Sequence, residues 1–293
     1  MRFRQFLCFF FPKISPLIND IQYIIHDPTD LIQSFLHKGI QWNETLYFFL
    51  MYYIVSHPIQ HFINVGCHIG TLCLPISKHV KHVTAFEAYP PTYQHFKQNI
   101  DFNHITNITH YNMALGDRTD TIYFFSEHAI CPREKINRFK KNTGGMHVLT
   151  QYDIDHQIRS SSLSDRKIIG SMYRFDELDI PPFDLLLVDV EGMEYEFLKG
   201  AQSKILQCKP IILIEIWNNE KRRIENMETT TEHVIDFILS LGYRLVHQIN
   251  EDYIFEPCSS SFVLPSFFDT MVHWIQRMYY HYFSNIFSSR SNC

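Results

Sequence analysis

Short, dense apolar runs recur along this chain, and the stretches between them carry apolar residues at helical spacing. The runs at 61–65 (H-F-I-N-V), 82–87, 108–113, 184–189 and 211–216 predict buried strands. A glycine turn and helix to residue 80 follow the first run, and a helix over 91–101 follows the second. Strands alternating with helices predict a parallel sheet. The segments 243–249 and 252–255 read as a closing antiparallel pair. Upstream, 17–57 reads as helices leading in, with Leu46, Phe49, Leu50 and Tyr53 at three- and four-residue steps and Pro58 as the stop. The stretch 118–180 breaks the rhythm. It offers strands at 121–125 and 168–174 and a Gly144-Gly145 loop, and long irregular segments of this kind build binding walls, so acceptor specificity is expected there. Beyond Pro257, residues Phe268, Met271, Val272, Ile275, Met278, Tyr279, Tyr282 and Ile286 predict an aromatic amphipathic helix. The implied partition is a lead-in at 1–57, a core domain at 58–257 and a tail at 258–293.

Two places in this pattern carry chemistry. The first is V-G-C-H-I-G at 65–70, where an apolar strand runs into G-x-x-x-G, followed by T-A-F-E at 84–87. Glycines let the backbone turn sharply and approach a nucleotide-like ligand, and an acid roughly 20 residues later can accept the hydroxyls of a ribose. Gly66, Gly70 and Glu87 together point to an adenosine-containing cofactor. The second is D-L-L-L-V-D-V-E-G-M-E at 184–194, a strand ending in Asp189 and followed by Glu191 and Glu194. Like charges this close raise one another's pKa, a costly arrangement that more often serves chemistry than stability.

With A-F-E-A-Y-P at 85–90, N-M-A-L-G-D at 112–117, K-G-A at 199–201 and I-L-I-E-I at 212–216, these blocks resemble, in order, the FkbM-type family of S-adenosylmethionine-dependent methyltransferases. The resemblance runs over roughly residues 60–255. It implies a class I methyltransferase (Rossmann-like) fold, a seven-stranded, mostly parallel sheet with helices on both faces. It also implies S-adenosylmethionine as cofactor. Asn64, Gly66, Cys67, His68 and Gly70 would surround its amino-acid part, Glu87 with Ala88 its ribose, and Met113, Ala114 and Asp117 its adenine. Asp189, Glu191 or Glu194 would orient or deprotonate the acceptor, expected to be a sugar hydroxyl or another small polar molecule. The family usually has Asp where this chain has Asn64, and often Lys where it has Val188. Asn64 offers a neutral acceptor in place of a charge, and Val188 removes a countercharge from beside Asp189.

Composition narrows the field. A net charge of −5 argues against a grip on phosphate backbones, which needs clustered Lys and Arg, so nucleic acid is not an expected partner. The one basic run, Arg133 to Lys141, reads as a solvated loop. Seven cysteines without paired spacing fit reduced thiols in a cytoplasm-like compartment. The amino-terminal run Phe6 to Phe11 is too short for a signal peptide and is stopped by Pro12, and no stretch reaches the roughly 20 apolar residues of a membrane span. Asn43-Glu44-Thr45 and Asn107-Ile108-Thr109 match the glycosylation sequon by chance. Of the 17 histidines, the close pairs His57/His61 and His79/His82 do not sit beside a carboxylate, so zinc is not expected; a divalent ion on the D-V-E-G-M-E carboxylates is the lesser reading, and no metal is assigned. The tail helix could lie on a membrane surface, but packing on its own domain or in a homo-oligomer is favoured, because Arg277 and Arg290 alone supply positive charge. Two other functions stay open: a binding module on a methyltransferase fold that has lost turnover, and a nicotinamide-dependent oxidoreductase. The first glycine loop is G-x-x-x-G rather than G-x-G-x-x-G, which weighs against the latter.

Overall fold

The computed structural model describes residues 13–125, 149–150 and 167–259. The amino-terminal apolar run, the basic stretch 133–141, the Gly144-Gly145 loop and the aromatic tail helix lie outside the described residues. In chain order the elements are β1 (Lys13–Ile14), β2 (Ile24–Ile25), α1 (Leu31–His37), α2 (Glu44–Ser56), β3 (His61–Val65), α3 (Cys73–Ile76), β4 (His82–Phe86), α4 (Pro90–Phe102), β5 (Ile108–Tyr111), β6 (Ala114–Gly116), β7 (Asp120–Phe125), β8 (Leu149–Thr150), β9 (Lys167–Arg174), β10 (Leu185–Val188), α5 (Glu194–Cys208), β11 (Ile211–Glu215), α6 (Asn219–Ile224), α7 (Thr231–Ser240), β12 (Tyr243–Ile249) and β13 (Asp252–Pro257).

The main sheet has seven strands in the order β12-β13-β11-β10-β3-β4-β5. The five strands from β11 to β5 are parallel, and β13 runs antiparallel between β11 and β12. This is the class I methyltransferase fold. Both faces of the sheet are apolar because alternate residues of each strand enter different cores. Leu185, Leu187 and Leu213 join one cluster with Leu46, Phe49, Leu50 and Tyr53 of α2. Leu186, Val188, Ile212 and Ile214 join a second with Phe197 and Leu198 of α5 and Val234 of α7. The chain leaves β3 toward β4 in one direction and later returns to β10 on its other side, and a crevice opens where the strand order reverses.

Two expectations need correction. Residues 17–30 are not helical: β1 and β2 pair as a hairpin, turned by Asn19 and Asp20, both in the left-handed region at φ 48° and 63°. The 118–180 stretch contributes to a second sheet of order β6-β9-β7-β8, in which β9 pairs with β7 antiparallel and with the unforeseen β6 in parallel. Its Ile122, Phe124 and Met172 pack with Tyr89 and Met193, beside the crevice. The A-L-G-D and K-G-A blocks meet at this junction. A Cβ on Gly200 would lie 1.8 Å from the Gly116 carbonyl oxygen, so α5 can lie against β6 only with a glycine there. Among the described residues, no helix is long and apolar enough to cross a membrane.

Candidate active site

A cavity of about 280 Å³ lies at the carboxyl ends of β3, β4, β10 and β11. Its floor is the glycine loop. The N–H groups of Gly66 and Cys67 both donate to the Phe86 carbonyl oxygen at 2.9 Å, pinning the loop across the end of β4. Gly66 has φ 81°, and a Cβ there would meet the Asp189 carbonyl oxygen at 1.7 Å, so only glycine lets this turn sit against β10. His68 continues the loop at φ 49° and points its backbone N–H at the Glu87 Oε2 oxygen, 2.9 Å away. The other Glu87 oxygen accepts from the Tyr89 N–H at 2.8 Å. With a further backbone hydrogen bond from Ala88, three N–H groups hold the carboxylate, which keeps some acceptor capacity. Burial pushes the Glu87 carboxyl up to about 7 against the pull of these N–H groups.

Opposite the loop stands a row of acids. Backbone register aligns β10 with β11 up to Val188–Ile214, and β11 with β13 at Glu215–Asp252, so the strand ends bring Asp189, Glu215 and Asp252 side by side. Asp189, Glu191 and Glu215 line the cavity. Burial, and then the neighbouring Glu215, raise the Asp189 carboxyl well above the usual range, and a side-chain hydrogen bond joins the two. Burial and Glu215 push Glu191 up to about 8, while Lys221, whose Nζ stands 3.7 Å from Glu191 and 4.0 Å from Glu215, pulls it down. Glu191 holds φ 50°. A non-glycine residue kept in this region costs roughly 1–3 kcal/mol, and such strain clusters at functional sites. Burial lowers the His68 imidazole to about 4, so this ring is neutral at physiological pH.

Of the residues singled out in the sequence, Asn64, Gly66, Cys67, His68, Glu87, Ala88, Met113, Ala114, Asp189 and Glu191 line this one cavity. Three do not. Gly70 sits behind the loop, packed against Leu74 and Phe96. Asp117 is a strut between sheet and helix, its Oδ2 accepting from Lys199 at 2.7 Å. Glu194 is fully buried away from the cavity, in an ion pair with Arg222, and also accepts from the Gly192 N–H at 2.7 Å. Helix geometry explains the change. Asp189 and Glu191 stand in the loop before α5, whereas Glu194 opens the helix and is turned under it, toward Arg222 of α6. Val188, too, points away from the acids into the second core, so the absent lysine removes no countercharge from the Asp189 side. Lys221 supplies a cation instead.

Several lining residues were not foreseen. Glu215 ends the run I-I-L-I-E just as Asp189 ends L-L-L-V-D, and that parallel was the available signal. Ile32, Trp42 and Asn43 come from the lead-in. Asn43 caps α2, its side chain accepting from the Leu46 N–H at 3.3 Å, and its side chain also bonds Asp252. The sequon asparagine is therefore a helix cap at the cavity wall. The Cys67 thiol is pushed up by burial, as an inert filler is.

The family profile "Methyltransferase FkbM domain" matches residues 64–245, well over half of the chain. Methyltransferase 1 of Beauveria bassiana (strain ARSEF 2860) is 22% identical over 215 residues, covering 70% of this chain and 81% of that protein. Among solved structures, methyltransferase FkbM from Methylobacillus flagellatus KT aligns at 16% identity with a TM-score of 0.42, over 68% of this chain and 43% of that one. The N-methyltransferase NodS from Bradyrhizobium japonicum WM9 aligns at 11% identity and a TM-score of 0.40, over 74% of this chain and 99% of that one.

Proposed function

The chain belongs to the FkbM methyltransferase family, and from that premise we propose that it transfers the methyl group of S-adenosylmethionine to a hydroxyl oxygen of a small polar acceptor, a sugar or a similar polyhydroxylated molecule. The observation that carries this reading is the shared cavity: the Gly66–His68 loop and Glu87 on one side, and Asp189, Glu191 and Glu215 on the other.

The residues present fit the cofactor. The Asn64 side chain, almost fully buried at the cavity wall, offers an amide oxygen to an ammonium group. Glu87 keeps acceptor capacity for ribose hydroxyls, and Met113, Ala114, Leu115 and Phe124 give an apolar strip for a flat base. When bound, the cofactor supplies a sulfonium methyl group that is electrophilic without further activation. The protein's work is then alignment and proton removal. Asp189 and Glu215 share a hydrogen bond, so one holds a proton while the other stays a carboxylate, and a hydroxyl that donates to that carboxylate is aimed and made more nucleophilic. Glu191 receives or relays the proton, with Lys221 keeping a fraction of it ionised near neutral pH. Trp42, Leu72, Phe86 and Tyr89 wall the cavity with apolar surface, which strengthens these interactions by keeping water away.

Calorimetric titration with S-adenosylmethionine and S-adenosylhomocysteine, followed by radiolabelled methyl transfer to a panel of glycans and hydroxylated small molecules, tests the proposal. Binding and transfer to an oxygen support it. Binding of NADH with no binding of either sulfur compound overturns it. Tight cofactor binding with no transfer across the panel favours a binding module, the reading that the neutral Asn64 motivates.

A further inference from the structure

The family profile covers residues 64–245, yet short segments on either side of that range complete the cavity wall. Before it, Trp42 and Asn43 line the cavity directly. After it, Asp252 pairs in register with Glu215 of the acid row and holds the Asn43 side chain through a hydrogen bond. On its other side this short stretch is tied to the glycine loop: Gln41 Nε2 donates to the carbonyl oxygen of Thr71, the residue after Gly70, at 2.8 Å. Residues 41–43 are thus strung from the glycine loop to the acid row, with Trp42 between the two fastenings. The indole is half-buried and held edge-on against Phe35 of α1, the ring centroids 5.3 Å apart at 84°. Excluding water asks only for apolar bulk, which Leu72 and Phe86 already bring to this wall. A large flat ring, fixed in place from two sides, offers a flat partner something that aliphatic bulk does not.

We infer that Trp42 is the platform on which the ring of a cyclic saccharide acceptor stacks, and that it thereby selects the acceptor. The inference deepens the methyl-transfer reading above and rests on it. A pyranose ring has two chemistries: faces of C–H groups, which pack on an aromatic ring, and an edge of hydroxyls, which need acceptors. The cavity supplies both, the indole for the face and Asp189 and Glu215 for the hydroxyls, with Asn43 joining the two parts of the wall. A ring held flat on Trp42 has its hydroxyl edge turned along the wall toward the acid row, where one hydroxyl meets the carboxylate that takes its proton. An organic cation is the other partner that an indole beside acids could attract. The row is not built to hold one: Asp189 and Glu215 are joined to each other by a hydrogen bond, and the Lys221 amine already stands 3.7 Å from Glu191 and 4.0 Å from Glu215. Because Trp42 lies outside the family domain, it is a position at which this chain can set its own acceptor while keeping the shared cofactor loop.

The test is saturation-transfer NMR on the full chain saturated with S-adenosylhomocysteine, using the methyl glycosides of glucose, galactose, mannose and rhamnose, with sorbitol as an open-chain polyol and tetramethylammonium as a cation. The expected result is transfer to the ring C–H protons of at least one glycoside and none to sorbitol. Trp42→Leu, which keeps apolar bulk but loses the flat face, should weaken that glycoside roughly tenfold or more, and Trp42→Phe should keep most of the affinity. Calorimetry should give the same S-adenosylhomocysteine affinity for all three proteins, which also shows that the variants are folded. In the parent labelled with fluorotryptophan, the glycoside should shift the fluorine resonance that Trp42→Phe removes, a readout that needs no leucine variant. If S-adenosylhomocysteine binds but no glycoside does, or if tetramethylammonium alone binds, the inference is overturned while the methyl-transfer reading stands. Equal glycoside affinity in Trp42→Leu, or a loss confined to S-adenosylhomocysteine, overturns it too, the latter by assigning Trp42 to the cofactor. Failure of the parent to bind S-adenosylhomocysteine at all overturns the methyl-transfer reading itself, and this inference with it.

Discussion

Glu191 and Glu194 stand in one short turn and have the same side chain, yet they lie in different environments. Glu194 opens α5 and is sealed beneath it, its oxygens taken by Arg222 and the Gly192 N–H, while Arg222 also donates to the Trp217 carbonyl at 2.9 Å and to Thr229 Oγ1 at 2.9 Å. Glu191 faces the cavity in a strained backbone, beside the carboxylates of Asp189 and Glu215 and with the half-exposed Lys221 at 3.7 Å. Burial raises both carboxyls, but what surrounds each differs: fixed donors around Glu194, mainly other acids around Glu191. A buried acid whose acceptor sites are filled by fixed donors holds structure together. An acid kept among like charges at a cavity is poised to exchange a proton.

The largest effect that sharpens this contrast is on rate. Asp189→Asn, Glu191→Gln and Glu215→Gln should each leave cofactor affinity, read by calorimetry, nearly unchanged. Turnover should fall by roughly 10²–10⁴-fold for the residue that takes the proton and by less for its neighbours. If all three variants keep full turnover, the cavity acids are bystanders and the contrast with Glu194 loses its functional meaning.

The next effect, on stability, belongs to the other side of the comparison. Arg222→Met strands a buried carboxylate and should cost about 3–5 kcal/mol in denaturant unfolding. Glu194→Gln keeps the shape and some hydrogen bonding, so its loss should be smaller. The fraction of protein that stays folded should turn over at the parent rate. A variant of Glu194 that folds as stably as the parent but is inactive would move this residue into the catalytic group.

Why the sequence separated these acids poorly is a matter of what each pattern encodes. The apolar runs encode burial, and burial is what fixes strands, so β3, β4, β10, β11 and the β12–β13 pair lie within a residue or two of their expected positions. The glycine loop and Glu87 were legible for a similar reason: a backbone turn and a strand-end acid are local requirements. D-V-E-G-M-E is different, because which of its acids faces the cavity depends on where α5 begins and on Arg222, which arrives from a distant helix. Likewise Trp42 and Asn43 join the site only because α2 runs along β13, its cap Asn43 bonded to Asp252 and its Tyr53 to Glu256, and no spacing within 31–57 announces that. Asp117 read as a ligand contact because its strut partner, Lys199, lies far along the chain.

A smaller effect tests Glu87, the third kind of acid, held by backbone N–H groups yet facing the cavity. Glu87→Ala should weaken S-adenosylmethionine binding by about 1.5–3 kcal/mol, with Glu87→Gln between it and the parent, because the alanine removes a buried charged acceptor. Equal affinity in the alanine variant would place Glu87 with Glu194 as a loop fastener, serving only the His68, Ala88 and Tyr89 N–H groups.

A last effect tests the surroundings of Glu191 through the pH dependence of stability. The folded protein raises Glu191 from its ordinary value to about 8, so the protonated form is the one that folding favours. Stability from this group is complete below the unfolded pKa near 4.5 and is lost as pH rises through 8, since the folded state then gives up a proton it holds more tightly than the unfolded chain does. Glu191→Gln cannot ionise and escapes that loss. Its melting temperature should match the parent's near pH 5 and exceed it at pH 8.5. Lys221 already holds this carboxyl at about 8 rather than higher, because its amine favours the carboxylate. Should Glu191→Gln instead melt lower than the parent at pH 8.5, the Lys221 pair outweighs burial and the repulsion from Glu215, and Glu191 is a structural ion pair.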